Sequence, residues 1–449
     1  MIMNIFHYDL FVVGTGEAGT TAAIKASSYG WKTAIADKRE YGGTCALRGC
    51  NPKRTMAGAA EIIYRSRHMH EKGITGDIKL DWNSLKRFTY SLIEKIPSFT
   101  EERLSSKGID LFHGEFYFTA PNSMSNGNVT IEASHILIAT GSVPKLINVP
   151  GNKYITHIDD LLKVDKLPRS MVFIGAGYIS IEFAHILGRI GTNITIIESM
   201  SHALNSFDND LTDMLKKASD ETGIKFFTDC SLEGIEKTSD NYTVHTKDGQ
   251  FKTDMIVHGA GRIPDIENLK LENAGIENDK GNIIINEYLQ CTSNTAVYVA
   301  GDVTGRSMRL TPVAEMEGEI AAFNMINGNC KIPDYHTIPS VVFSHPSVAS
   351  VGLREENLGD NKNLFNIYFQ NTSEKHITKR HGLNYSAFKI ITEKENDKIR
   401  GVHLLGHNCD EVINGFSLAI RQGLTINDLK ETIWTFPSVM YDIVSRLAD

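Results

Sequence analysis

The residues best suited to chemistry lie in "YGGTCALRGCNPKRT", where four residues separate Cys45 from Cys50, between Gly42–Gly43 and Pro52–Lys53–Arg54. Cysteine is scarce in this chain, six in 449 residues, so two this close invite a reason. Three chemistries fit: a structural bridge, two ligands of a metal, or a redox pair that opens and closes. A zinc site needs two further Cys or His ligands at suitable spacing, and the nearest histidines, His68 and His70, have no second pair beside them. The spacing suits a small disulphide ring at the start of a helix over "NPKRTMAGAAEIIYRS", where the helix dipole and Lys53 can stabilise a thiolate. Spacing alone leaves all three possibilities open.

Two further stretches must position something. "YDLFVVGTGEAGTTAAIKASSYGWKTAIAD" reads as strand, tight turn, helix, strand, with Gly14-x-Gly16-x-x-Gly19 in the turn and Asp37 closing the second strand. The same syntax returns in "SMVFIGAGYISIEFAHILGRIGTNITIIES", with Gly175-x-Gly177-x-x-Ser180 and Glu198. From first glycine to acid the distance is 23 residues in both copies. Glycines there let the backbone approach a pyrophosphate at a helix N-terminus, and the acid accepts hydrogen bonds from a ribose diol. Two such frames predict two Rossmann-like units and two dinucleotides. Around Glu198 stand Ser199, Met200, Ser201 and His202 but no Arg or Lys, so NADH is expected rather than NADPH.

The rest of the chain sets bounds. Its length predicts two to four domains. Hydrophobic content of 41% and charged content of 22% are those of an ordinary globular protein, and a net charge of −8 argues against general nucleic-acid binding. No apolar run is long enough to span a bilayer, and the N-terminal stretch reads as leading straight into a strand. With few, scattered cysteines the expected setting is the reducing cytoplasm. Cys230, Cys291, Cys330 and Cys409 have no sequence partner and are expected to be buried or inert.

With these residues in place, the chain resembles the pyridine nucleotide–disulphide oxidoreductases, the family of dihydrolipoamide dehydrogenase, glutathione reductase and mercuric reductase. The likeness runs nearly end to end: "GTGEAG" and "GAGYISIEFA" resemble the FAD and NAD(P) motifs, and "GGTCALRGCNPK" the redox-disulphide motif. "ILIATGSVP", "GAGRIPD", "VYVAGDVTG", "LTPVAEMEG" and "IPSVVFSHPSVASVG" follow in the family's order. The resemblance implies an α/β fold with two Rossmann-like dinucleotide-binding domains and an α+β C-terminal dimerisation domain. Residues 1–145 and 266–330 would bind FAD, 146–265 would bind NAD(P), and 333–449 would form the interface of a homodimer. It implies that Cys45 and Cys50 form a redox-active disulphide. Cys50 would be the thiolate nearest the flavin and Cys45 the interchange thiol that meets the acceptor. Lys53 would pair with Glu182 beside the flavin, with Arg54 as a possible substitute. FAD would be held by Gly14, Gly16, Glu17, Ala18, Gly19, Asp37, Lys38, Gly43, Thr44, Phe116, Thr140, Gly141, Asp302, Leu310 and Thr311. The nicotinamide cofactor would be held by Gly175, Gly177, Tyr178, Ile179, Glu198, Gly261 and Arg262. No metal site is expected.

The pattern breaks at the tail. The family's disulphide reductases end in a signature whose histidine serves the interchange thiol of the other subunit and is oriented by a glutamate. In "WTFPSVMYDIVSRLAD" Pro437 fixes the register, so Phe436 and Tyr441 stand at those two places. Phenylalanine cannot carry a proton, and a general base is worth about 10²–10⁴-fold. Mercuric reductases share a phenylalanine–proline step, but they end in a cysteine pair, and this sequence has no cysteine beyond Cys409. Glutathione reductases carry an arginine where Ile24 stands. Arg48 lies inside the redox loop, as a steering group for an anionic acceptor, a thiol activator or a solvated residue. His345, His403 and His407 are weak replacements for the missing base. An acceptor such as a metal ion, a persulphide or a disulphide is expected; an oxidase or quinone reductase fed directly from FAD is the alternative.

Overall fold

The computed structural model describes residues 4–306 and 308–447. Its packing divides into two units: Met1–Lys53, Arg87–Leu146 and Gly261–Pro333 in one, and Arg54–Lys86, Ile147–Ala260 and Asp334–Asp449 in the other.

The first unit is built on a parallel sheet. Its strands run in the order Asp110–His113, Thr33–Asp37, Asn4–Val13, Val129–Ile138, with Val297–Val299 pairing parallel to the last. Strands buried on both faces read as continuous apolar runs, which explains "LFVV" and "HILIA". Two short antiparallel strands, Ser123–Ser125 and Tyr117–Ala120, extend the edge beyond Val129–Ile138. The helices Glu17–Ser28 and Thr311–Asn327 touch closely through small residues. A Cβ on Gly318 would lie 2.2 Å from the carbonyl oxygen of Ala18, so this crossing demands glycine.

The second unit repeats the device. Ile224–Phe227, Asn193–Ile197, Ser170–Ile174, Met255–His258 and Ile155–Thr156 form a five-stranded parallel sheet with the helix Tyr178–Arg189 after its central strand. A three-stranded antiparallel sheet, 232–253, follows in the chain. The C-terminal part carries a five-stranded antiparallel sheet in the order Ser340–Val342, Ser347–Gly352, Ile399–Gly406, Ala387–Glu393, Phe365–Asn371. Against it packs the helix Cys409–Arg421, whose Ile413, Phe416 and Ile420 are buried and Val412 half-buried, the face expected from its spacing. The next helix, Ile426–Glu431, begins with both bonds of the Thr425/Asp428 capping box. Lys389, only 2% exposed, is held by Asp208, Asp210 and Glu355 at 2.8, 2.6 and 2.7 Å.

Of the four other cysteines, Cys230, Cys291 and Cys409 are buried and Cys330 is exposed, because it follows the end of the helix Thr311–Asn327 in a polar turn rather than entering the core. Among the described residues no helix is long and apolar enough to cross a membrane.

Candidate active site

Both glycine turns are built alike. A Cβ on Gly14 would lie 2.1 Å from the carbonyl oxygen of Ala139, and one on Gly175 would lie 2.5 Å from that of Gly259. Each first glycine therefore abuts the chain just past the neighbouring parallel strand, at φ +114° and +93° respectively. The middle glycines differ: a Cβ on Gly16 would meet nothing within 4 Å, and one on Gly177 only the Gly259 oxygen at 3.5 Å. Nothing in the chain itself demands glycine at either middle position, so the space suits an approaching ligand backbone. No side chain caps the helices Glu17–Ser28 and Tyr178–Arg189, so their first-turn N–H groups are available to an anion.

The two acids match as well. Asp37 Oδ2 accepts from the Thr15 N–H at 2.8 Å and its hydroxyl at 2.6 Å, while Oδ1 accepts from the Arg39 N–H at 2.9 Å. Glu198 Oε2 accepts from the Ala176 N–H at 2.7 Å, and Oε1 from the Met200 N–H at 2.9 Å and the Ser199 hydroxyl at 3.2 Å. Each carboxylate is locked to the residue after its first glycine and keeps lone pairs for a diol. The one irregularity, Ser180 in place of a third glycine, is absorbed elsewhere. A Cβ on Gly259 would lie 1.7 Å from Ser180 Oγ, so Gly259 supplies the close approach that Gly19 supplies in the first copy.

In the first unit the redox loop is pressed onto the first glycine turn. Gly42 and Gly43 have φ +118° and +72°, and a Cβ on Gly43 would lie 2.6 Å from Gly16 Cα. Cys45 and Thr44 lie on the short helix Gly43–Arg48, and Cys50 opens the helix Cys50–His68. Both cysteines are free thiols here, Cys50 exposed and Cys45 half-buried. Thr311 Oγ1 donates to Cys45 Sγ at 2.9 Å and lies 4.0 Å from Cys50 Sγ. The hydrogen-bonded Cys50 sulphur, and then burial, push the Cys45 thiol up, while the Thr311 bond pulls it down. Arg48 is neither a loose loop residue nor aimed at solvent: its side chain is largely buried and pairs with Glu40 at 3.1 Å.

Around this loop the unit places the remaining expected residues. Asp302 Oδ2 accepts from the Ser142 hydroxyl at 2.9 Å, and Ser142 Oγ accepts from Arg262 Nε at 2.9 Å. Gly301, at φ +83°, gives its N–H to the buried Glu317 at 2.7 Å. Ser142 and Glu317 were not among the expected site residues, although they lie within "ILIATGSVP" and "LTPVAEMEG". Thr140 Oγ1 is buried without a hydrogen-bond partner, next to Gly141 with its φ of +75°. Lys38 pairs with Asp265 at 3.0 Å and Glu115 at 3.3 Å. Phe116 turns its ring into the core against Phe11, at 5.1 Å, so a cofactor contact there falls to its backbone. Gly261 accepts from the Lys145 N–H at 3.1 Å, and Leu310 precedes the helix that Thr311 begins. The open glycine turn, the uncapped helix, Asp37 and the unpartnered Thr140 hydroxyl fit an FAD. When bound, that group supplies hydride acceptance from a nicotinamide and electron transfer to a disulphide.

In the second unit, Tyr178 is exposed at the start of its helix, Ile179 is half-buried, and Glu182 is 1% exposed with Oε1 accepting from the Phe343 N–H at 2.8 Å. Arg54, the suggested substitute for Lys53, is engaged by Asp410 at 3.2 Å and lies over the Phe343 ring at 4.3 Å. The replacement bases are poorly suited to carry protons. Burial lowers His345 to about 3, helped by Arg189 and Arg54; burial also lowers His403 and His407 to about 4. At the tail Phe436, 72% exposed, meets Tyr441 edge-on with ring centroids 4.9 Å apart. An aromatic pair occupies the two places at which a histidine and a glutamate were sought.

A parallel dinucleotide sheet, its repeat, and a thiol pair beside the first glycine turn define a flavin-dependent disulphide oxidoreductase. The chain belongs to the pyridine nucleotide-disulphide oxidoreductases: that family matches residues 8–318, and its dimerisation domain matches residues 338–445. The chain is 32% identical over 448 residues to a mercuric reductase of Lysinibacillus sphaericus, covering 96% of this chain and 80% of that protein. It is 29% identical to a glutathione reductase of Nostoc, covering 98% and 99%, and 27% identical to a dihydrolipoyl dehydrogenase of Haloferax volcanii, covering 96% and 94%. Among solved structures, it resembles a Cu(II) complex of the HOCl-induced flavoprotein disulfide reductase of Escherichia coli, with a TM-score of 0.89, 24% identity and 99% of each chain covered. The family binds FAD and NAD(P)H. The dimerisation domain supports a homodimer, and the exposed Leu418, Ile433 and Phe436 are apolar surface of the kind a subunit contact covers.

Proposed function

We propose that this enzyme takes hydride from NADH and passes the electron pair through Cys45 and Cys50 to an acceptor attacked by a thiolate, a metal ion or a disulphide or persulphide. In this reading residues 1–145 and 266–330 hold FAD, residues 146–265 hold the nicotinamide cofactor, and residues 333–449 form the subunit interface, in the reducing cytoplasm. Cys50 is the thiolate nearest the flavin, Cys45 the interchange thiol, and Lys53 and Glu182 act beside the flavin. The observation that carries the proposal is the thiol pair bonded to Thr311 and set on the Gly16 turn. The net step balances: the S–S bond takes the hydride of NADH, leaving one thiol, one thiolate and NAD⁺.

The aromatic pair at Phe436 and Tyr441 narrows the acceptor. Lipoamide-type and glutathione-type turnover rely on a histidine facing the interchange thiol, and the phenylalanine at that place, Phe436, carries no proton. Metal ions and activated sulphur make smaller demands, because thiolate attack suffices. The test is steady-state NADH oxidation with Hg(II), Cu(II), a persulphide, glutathione disulphide, lipoamide, a quinone and oxygen, in wild type and Cys45→Ser. Turnover of a metal or sulphur acceptor that disappears in Cys45→Ser is expected. Quinone or oxygen as the sole efficient acceptors, undiminished in Cys45→Ser, would mean that electrons leave directly from FAD.

A further inference from the structure

We propose that Thr311 is the positioning residue that readies Cys45 for attack, its hydroxyl donating to that sulphur and raising the share of the reduced pair's single negative charge that Cys45 carries, in place of a proton-accepting partner. This rests on the relay reading above. The bond runs from Thr311 Oγ1 to Cys45 Sγ at 2.9 Å, against 4.0 Å to Cys50, so the hydroxyl favours one sulphur of the two.

The fold leaves that hydroxyl free for the task. Thr311 is the first residue of its helix, with Pro312 next, and no side chain caps that end. A threonine deeper in a helix commonly returns its hydroxyl to a carbonyl one turn back; at the first position no helical carbonyl lies there. Thr311, from the helix Thr311–Asn327, and Cys50, from the helix Cys50–His68, both hydrogen-bond to Cys45. Arg48, on Cys45's own helix, is turned to Glu40.

The chemistry follows from what a hydroxyl can do. A thiolate accepts hydrogen bonds and a thiol accepts them weakly, so a fixed O–H donor favours the charged form. The hydroxyl keeps its own proton throughout. With a disulphide acceptor, the Cys45 thiolate attacks one sulphur and expels a thiolate. Cys50 then attacks the mixed disulphide, reforming Cys45–Cys50 and releasing the second thiol. Two thiols' worth of sulphur leave with the one proton that the reduced pair carried, and nothing is required of the tail.

The test is iodoacetamide alkylation of the holoenzyme at pH 7 and across a pH series, with and without NADH, in wild type, Thr311→Val and Thr311→Ser. Trypsin cleaves at Arg48, which puts the two cysteines in separate peptides for mass analysis. With FAD retained, Thr311→Val should slow Cys45 alkylation about tenfold at pH 7 and move its pH midpoint up, and Thr311→Ser should restore both. Equal Cys45 rates in wild type and Thr311→Val, or equal slowing in the valine and serine variants, would overturn the assignment. Failure of the relay reading looks different: wild-type Cys45 would then alkylate equally well without NADH.

Discussion

At the scale of single residues, the two carboxylates decide more than their neighbours do. Glu198 is fixed by three donors, so it cannot swing away from a 2′-phosphate; the four residues after it include no Arg or Lys, and His202 faces Asp213 at 3.7 Å. In the proposed reading a 2′-phosphate placed against that fixed charge is disfavoured, so NADH should be preferred by at least about tenfold in kcat/KM. Glu198→Gln should narrow the ratio, mainly by weakening NADH; an unchanged ratio in parallel NADH and NADPH kinetics would remove Glu198 from the site. These residues were legible because acids and glycines at a fixed spacing have few uses. The partner of Cys45 was not. Thr311 is expected at the flavin from the likeness of "LTPVAEMEG", and because it lies 266 positions from Cys45 only the folded chain brings its hydroxyl to the sulphur.

At the scale of elements, the second glycine turn shows how one packing demand can migrate. Ser180 looks like a lapse in the fingerprint, yet its hydroxyl fills the space that Gly259 leaves open beside the strand Met255–His258. Gly259→Ala should therefore weaken nicotinamide binding and lower the melting temperature, an overpacking cost of about 1–3 kcal/mol. Adding Ser180→Gly should recover only part of it, because the new methyl would still lie 3.1 Å from the oxygens of Gly175 and Ile174. Calorimetry and NADH titration of the three variants check this; full tolerance of Gly259→Ala alone would contradict it. The strands and helices of both turns could be foreseen because apolar runs and glycine punctuation are local signals. The Gly259–Ser180 contact could not, because it joins residues 79 positions apart on different elements.

At the scale of the whole molecule, buried histidines tie stability to pH. His345 sits at about 3 and His403 and His407 at about 4, all below the ordinary histidine value near 6.5. The unfolded chain therefore binds protons that the folded chain refuses as pH falls from about 6.5 to 4. Stability should drop over that window, chiefly through the buried His345 and His403 and less through the half-buried His407. Urea midpoints measured from pH 8 to 5 check this, and a flat profile would contradict it. Function is organised on the same scale, since one chain carries a dinucleotide device used twice, a dimerisation domain and one pair of sulphurs. The central claim is that electrons leave through those sulphurs, and anaerobic reduction of the holoenzyme by NADH tests it most directly. Wild type should develop the long-wavelength absorbance of a thiolate beside the flavin, and Cys50→Ser, with FAD still bound, should not. An unchanged band in Cys50→Ser would contradict the account.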